Sequence, residues 1–234
     1  MPPGARRTAA ACNRPRSRVL RCATDPVWRC AVLDRDRPMM RENARIAAVL
    51  LLVYPREGAP HVVFTQRTNT VSAHRGQISL PGGSRDPNDG SLEVTALRET
   101  HEELGIAPAH VDVWGRLDDV YVHTSNFVIA PYVGALGYEP TFCVSPEEVD
   151  HVIEVPLDTL RDPRILREDD WILRGAVRRV QFYEYGRYQI WGATARVIEL
   201  FLASPYLERA AAAPEPWGDG SRAGAVASKE IQHG

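Results

Sequence analysis

An α/β or α+β sandwich around a mixed sheet is the architecture that this 234-residue chain predicts. Short apolar runs recur along it, from "IAAVLLLVY" at 46–54 to "VQFYEY" at 180–185, at lengths that suit strands. Two segments, 91–104 and about 191–203, carry helical spacing instead. Many strands with two main helices, and no internal repeat, place helices against a sheet of mixed direction.

In chain order, strands are expected at 45–54 and 61–66, then a loop to Gly82-Gly83, then the first helix. Ser91 can cap that helix, and "LEVTALRETHEEL" holds no Pro or Gly before Gly105, which suits a left-handed stop. Val94, Leu97 and Leu104 mark its buried stripe, with Ala96 and Thr100 at the edges. Further strands are expected near 111–121, where "VDVWGRL" alternates, and at 126–136, 149–155, 170–175 and 178–185. On the last helix Ala195, Ile198, Phe201 and Leu202 are spaced for one buried face. We read 41–208 as the folded domain, 1–40 as an arginine-rich leader without fixed structure, and 209–234 as a tail of the same kind.

Composition narrows the function classes. With 44% hydrophobic residues, 25% charged and a net charge of −2, the chain has no overall polyanion-binding character, and no nucleic-acid partner is expected. All but one of its 28 cationic residues are arginine, Lys229 being the exception, so a single arginine is weak evidence of function. Cys12, Cys22, Cys30 and Cys143 show no CxxC spacing, which excludes the usual zinc and disulfide frameworks. No apolar run approaches the roughly 20 residues of a membrane span. A cytoplasmic setting is the expectation. Six arginines precede the first acid, Asp25, a pattern that organelle transit peptides share; the favoured alternative is a leader upstream of a start at Met39 or Met40.

The stretch "LPGGSRDPNDGSLEVTALRETHEELGI" (80–106) carries the chemistry. Glu99, Glu102 and Glu103 stand at i, i+3 and i+4, where like charges repel unless the face is solvated or a cation belongs there. Three carboxylates converging on one helical face would suit a hard divalent ion, and Arg98 could orient Glu102 one turn on. The paired glycines allow close backbone approach to a ligand.

Together these residues resemble the Nudix box, G-x5-E-x7-R-E-U-x-E-E-x-G-U, where U is bulky and apolar. "RETHEELGI" (98–106) matches its second half, with Thr100 at the first U. The first half departs: counting from Gly82 the expected Glu is Asn88, and from Gly83 it is Asp89, one residue further from Arg98 than the pattern asks. That Glu is thus missing, or replaced by Asp89, Asp86 or Glu93. The longer loop is similar to that of the coenzyme A pyrophosphatase branch, to which Thr65, Arg67, Gly76, Gln77, Pro81, Gly82, Gly83, Asp86 and Asp89 also correspond. Ser72 and Leu80 stand where that branch usually has Arg and Phe. Similarity continues through "NFVIAPYVGAL", "SPEEVDHVIEVPLDTL" and "YQIWGATARVIELFL".

The resemblance implies a Nudix-type α/β/α sandwich with a mixed central sheet. It also implies Mg²⁺- or Mn²⁺-dependent cleavage of the pyrophosphate of coenzyme A or a derivative, giving 3′,5′-ADP and 4′-phosphopantetheine. Glu99 and Glu103 would be the main metal ligands, Glu102 a further ligand or a base, and a backbone carbonyl near Gly82 an extra ligand. Glu148, with Glu147 beside it, fits the position of a base outside the box, against the alternative of a helix-opening pair after Pro146. Arg67, His74 and Arg75 are the candidates for the substrate's phosphates. Trp191 is read as packing against the last helix in preference to stacking on adenine. The expected partner is a small-molecule nucleotide, with a homodimer allowed and no membrane. The alternatives are a Nudix hydrolase of ADP-ribose, NADH or another nucleoside diphosphate derivative, and a module that binds nucleotide without turnover.

Overall fold

In the computed structural model, residues 43–68 and 77–212 are described. The expectations for the leader 1–40, for His74 and Arg75, and for nearly all of the tail lie outside the described residues. Strands β1 (Arg45–Arg56) and β2 (Ala59–Arg67) form an antiparallel hairpin with Val53 opposite Val62. Leu50, Leu51, Leu52 and Val53 are all fully buried. A strand covered on both faces needs no polar alternation, which is why "AAVLLLVY" reads as one apolar run. Each such side chain contributes about 1.5–3 kcal/mol on burial.

Beyond the hairpin, β1 and β2 diverge, and two short strands occupy the gap in a stretch expected to be loop. Strand β3 (Ile78–Ser79) pairs with Thr65–Gln66 of β2, and β4 (Gly82–Ser84) pairs with Ala47–Val49 of β1. Between them the Pro81 carbonyl accepts from the Leu50 N–H at 2.9 Å. Helix α1 (Leu92–Leu104) follows, capped by the Ser91 hydroxyl, which accepts from the Val94 N–H. Its end is set by Gly105 at φ 74°. Val94 is not part of the buried stripe: it is 46% exposed, while Thr95, Ala96, Thr100, Glu103 and Leu104 face inward. Ala96 and Leu104 pack against Leu50, Leu52 and Val63 of the sheet, and Val94 is left outside.

The strand expected at 111–121 is two, β5 (Asp112–Arg116) and β6 (Val120–Val122), both antiparallel to β7 (Phe127–Ala135). The break falls beside Pro131 of β7, which has no N–H to donate; its carbonyl still accepts from Leu117. Strand β8 (Val149–Pro156) pairs along β2, and α2 (Leu157–Arg161) follows it. Strands β9 (Leu166–Leu173), β10 (Ala176–Tyr185) and β11 (Tyr188–Trp191) make a separate three-stranded sheet. Helices α3 (Gly192–Leu202) and α4 (Tyr206–Ala211) complete the order. The folded part therefore runs past residue 208, with Ala210 buried on α4. Residues 188–191, given no element by the sequence, are strand, and the last helix, expected from about 191, starts at Gly192.

Among the described residues the main sheet has the order β3-β2-β1-β7-β5, with β4 on β1, β6 on β7 and β8 on β2. Among the described residues only β1 and β7 are parallel neighbours, so the sheet is mixed. One face packs Leu50, Leu52 and Val63 against Ala96 and Leu104 of α1. The other packs Leu51, Val62 and Phe64 against Val197, Ile198 and Phe201 of α3 and Ala210 of α4. The chain is thus an α/β/α sandwich around a mixed sheet.

Candidate metal and active site

Acids favour the N-terminal end of a helix, where the backbone dipole is positive. Glu99, Glu102 and Glu103 instead crowd the C-terminal half of α1, a placement that costs stability unless something cationic offsets it. The structure divides the three. At 3.6 residues per turn, positions 102 and 103 lie about 100° apart around the helix, so the expected convergence of all three on one face is corrected. Glu102 turns out to solvent, its side chain 50% exposed, and accepts from Arg98 Nη1 at 2.8 Å. Glu99 and Glu103 turn inward.

A third carboxylate meets them there. Ligand-capable oxygens of Glu99, Glu103 and Glu148 all lie within 4.8 Å of one another. Glu148 arrives on the connection to β8, where Pro146–Glu148 form a turn and not the opening of a helix. Backbone hydrogen bonds fix that connection. The Cys143 and Ser145 N–H groups donate to the Leu104 and Glu103 carbonyls at 3.0 and 3.1 Å, satisfying acceptors that the end of α1 leaves open. On the other side, the Thr68 N–H donates to the Glu148 carbonyl at 3.1 Å, and Thr68 Oγ1 donates to the Glu147 carbonyl at 2.9 Å. Gly105 permits the first contact, since a Cβ there would crowd Cys143.

Glu103 is 2% exposed and its Oε2 has no hydrogen-bond partner among the described residues. Burial pushes its carboxyl up to about 8, against the opposing pull of the Arg67 charge and the Gly82 N–H; the Glu148 and Glu99 charges push it further up. Burial also raises the Glu99 carboxyl, opposed by Arg98. A buried acceptor without a donor, faced by two more carboxylates, fits a divalent cation: hard oxygen ligands, anionic and converging. The donor set therefore passes as a metal site on its own geometry.

The two glycines have separate reasons. A Cβ on Gly82 (φ 147°) would overlap the Ala48 carbonyl and Val49 Cα, so the strand contact excludes a side chain. A Cβ on Gly83 would overlap the Glu99 carboxylate. We expect Gly83→Ala to leave the melting temperature within a few degrees but to displace that carboxylate. Turnover should then fall by roughly 10²-fold, the cost of misplacing a catalytic group by about 1 Å. Undiminished kcat/KM in the variant would show that Glu99 need not sit there.

Among the three acids considered for the box's missing glutamate, Arg98 selects Asp89. Arg98 Nε and Nη2 donate to its two carboxylate oxygens at 3.0 Å each, and Thr95 Oγ1 and the Asp86 N–H donate to it as well. The guanidinium holds the Asp89 carboxyl well below the usual range. Arg98 also reaches Glu99 Oε1 at 3.0 Å and the Ser84 carbonyl at 3.3 Å, so one side chain ties loop, strand and inward acid together. Sequence counting offered Asp89 without a reason to prefer it; its partners are the reason. Arg67 stands at the end of β2, its charge acting on Glu103. His74 and Arg75 lie outside the described residues. Trp191 packs edge-on against Trp171, ring centroids 5.4 Å apart, at the start of α3.

Residues 44–175 match the NUDIX domain family model. An uncharacterized Nudix hydrolase, NudL, of Photorhabdus laumondii subsp. laumondii is 36% identical over 159 residues, 68% of this chain and 84% of that protein. Its counterpart in Cronobacter sakazakii is 40% identical over 166 residues, 69% of this chain and 85% of its own. "Nudix hydrolase 22, chloroplastic" of Arabidopsis thaliana is 32% identical over 168 residues, 55% of its length. The chain belongs to the Nudix family. It is a Nudix hydrolase of nucleoside diphosphate derivatives, a family that generally uses divalent ions. No helix among the described residues is long and apolar enough to cross a membrane.

Proposed function

We propose that this protein hydrolyses the pyrophosphate of coenzyme A or its derivatives, releasing 3′,5′-ADP and 4′-phosphopantetheine. The observation that carries the reading is the lengthened loop 82–90, whose Asp89 takes the place of the box glutamate in the grip of Arg98. That loop is what the chain shares with the coenzyme A pyrophosphatase branch, along with Thr65, Arg67, Gln77 and Pro81. The Leu80 departure bears little on substrate, because Leu80 is buried in the core.

In this reading Glu99 and Glu103 hold a Mg²⁺ or Mn²⁺ ion, with the Gly82 carbonyl as an added ligand. When bound, such an ion neutralises diphosphate charge and activates the attacking water. Arg67 binds a phosphate oxygen, a contact its forked donors suit. Glu148 faces both helix carboxylates from a separate loop and accepts the proton of the attacking water at its carboxylate. Glu102, paired with Arg98, orients that arginine. His74 and Arg75 are proposed partners of the substrate's remaining phosphate.

The second reading, hydrolysis of ADP-ribose or NADH, is favoured by Ser72, which removes a cation usual in the coenzyme A branch. The test is a product assay with Mg²⁺ or Mn²⁺ and coenzyme A, ADP-ribose and NADH offered side by side. Preferential release of 3′,5′-ADP from coenzyme A is expected. Preference for either other substrate would move the assignment to the second reading, and binding of all three without turnover would move it to a non-catalytic module.

A further inference from the structure

The strand that follows Glu148 is irregular at its start. Strands β2 and β8 keep an even antiparallel register through Thr65 opposite Val152 and Gln66 opposite His151. At the next step Arg67 faces Val149, so Asp150 is an extra residue on β8. A bulge of this kind displaces every side chain beyond it by one position. In an even register Val149 would lie opposite Thr68. With the bulge Glu148 takes that place, and the Thr68 N–H donates to the Glu148 carbonyl at 3.1 Å.

Thr68 makes a second bond here, its Oγ1 donating to the Glu147 carbonyl at 2.9 Å. The Glu147 carbonyl belongs to the peptide unit before the Glu148 Cα, and the Glu148 carbonyl to the unit after it. One residue therefore holds both peptide units that flank this Cα. Each unit is planar, so restraining the two restrains φ and ψ of Glu148 and with them the direction of its side chain. The Glu148 N–H donates to the Ser145 carbonyl at 3.2 Å, closing the turn from the other side. Thr68 is buried, where water does not readily replace a lost donor. Direction matters at this position, because the Glu148 carboxylate reaches Glu99 and Glu103 across a gap of 4.8 Å at most. In the clasp as described, the Thr68 hydroxyl is the side-chain donor; its other donors are backbone amides.

We infer that Thr68 is a positioning residue for the hydrolysis, aiming the Glu148 carboxylate at Glu99 and Glu103 by holding the peptide units on both sides of it. The inference rests on the reading of Glu148 as the group that accepts the proton of the attacking water, and it adds the side chain that keeps that group in place. The test is a double-mutant cycle on the full chain with Mg²⁺, using whichever of coenzyme A, ADP-ribose and NADH is turned over fastest. Thr68→Val keeps the branched shape and the amide but removes the hydroxyl. It should lower kcat by about 10–100-fold, the range for lost supporting contacts, with KM within about twofold of wild type. Thr68→Ser, which restores the donor, should recover most of that loss. In a Glu148→Gln background Thr68→Val should cost less than about twofold more, since the carboxylate it aims is gone, whereas a merely structural role would cost the same in both backgrounds. Hydrogen–deuterium exchange gives a readout independent of turnover: residues 145–149 should exchange faster in Thr68→Val than in wild type or Thr68→Ser, with α1 unchanged. Wild-type kcat in Thr68→Val, an equal loss in both backgrounds, or unchanged exchange at 145–149 overturns the inference while leaving the role of Glu148 intact. Undiminished turnover in Glu148→Gln alone overturns the reading of Glu148 and this inference with it.

Discussion

Replacing Glu103 with glutamine is expected to remove most turnover while leaving the fold at least as stable as before. The carboxylate is buried with one oxygen unsatisfied, so its charge is a burden on the folded state. Glutamine keeps the shape and removes the charge. Activity should fall by roughly 10²–10³-fold, the loss seen when one group that stabilises reacting charge is deleted. The melting temperature, by contrast, should hold or rise by a few degrees, at about 2–4 °C per kcal/mol for a domain of this size.

The pH dependence gives the same prediction a second readout. The folded carboxyl titrates near 8, above its ordinary value of 4.5, so the folded state keeps its proton longer than the unfolded chain does. Its contribution to stability is therefore full below about 4.5 and is lost as pH rises through about 8. With chelator present, wild-type stability should decline across that window, and Glu103→Gln should flatten the decline. Adding Mg²⁺ at pH 8 should raise the wild-type melting temperature and leave the variant's unmoved. A variant that unfolds, or one that keeps full activity, would end the assignment of Glu103 to the reaction.

Asp89→Ala is expected to act in the opposite way, losing stability and activity together. Its removal strips the Arg98 guanidinium and the buried Thr95 hydroxyl of their shared acceptor. Arg98 is then free to shift, and Glu99 with it. Supporting contacts of this kind typically cost 10–100-fold in activity when removed. The Asp89 carboxyl is held low chiefly by its hydrogen bonds from Arg98, so its stabilisation is present above about 4 and is lost as pH falls below that. Thermal melts taken from neutral to acid pH should show a shallower acid limb for Asp89→Asn than for wild type. An identical acid limb would mean that the pair carries no weight in holding the loop.

Much of this was legible in the sequence where one residue's chemistry decides the matter. Ser91 and Gly105 bound α1 as expected because a cap needs only a hydroxyl and a stop needs only a residue that tolerates positive φ. The run through Leu50–Val53 could be nothing but a buried strand at its length. What stayed hidden depends on partners far away in sequence. Val94 fits an apolar stripe by spacing, yet the stripe that is buried is the one that meets Leu50, Leu52 and Val63 of the sheet. Residues 78–79 and 82–84 are too short to show a period, and they are strands only because β1 and β2 separate around them. The division of Glu102 from Glu99 and Glu103 follows from helical angle, but which side faces inward was set by packing. Glu148 could be named only through the family resemblance, as a base outside the box, while its meeting with the helix acids required the clasp between 143–148 and the end of α1.

That clasp has a consequence for how the sequence can drift. Main-chain atoms carry most of it: amides of Cys143 and Ser145 to carbonyls of α1, and the Thr68 amide to the Glu148 carbonyl. Any residue except proline supplies such atoms. Val144 and Glu147 therefore stand under little demand from this scaffold to keep their identities, although they flank an acid whose placement matters greatly. Substitutions could accumulate in that loop, altering its outward face, while the carboxylate it delivers stays on target.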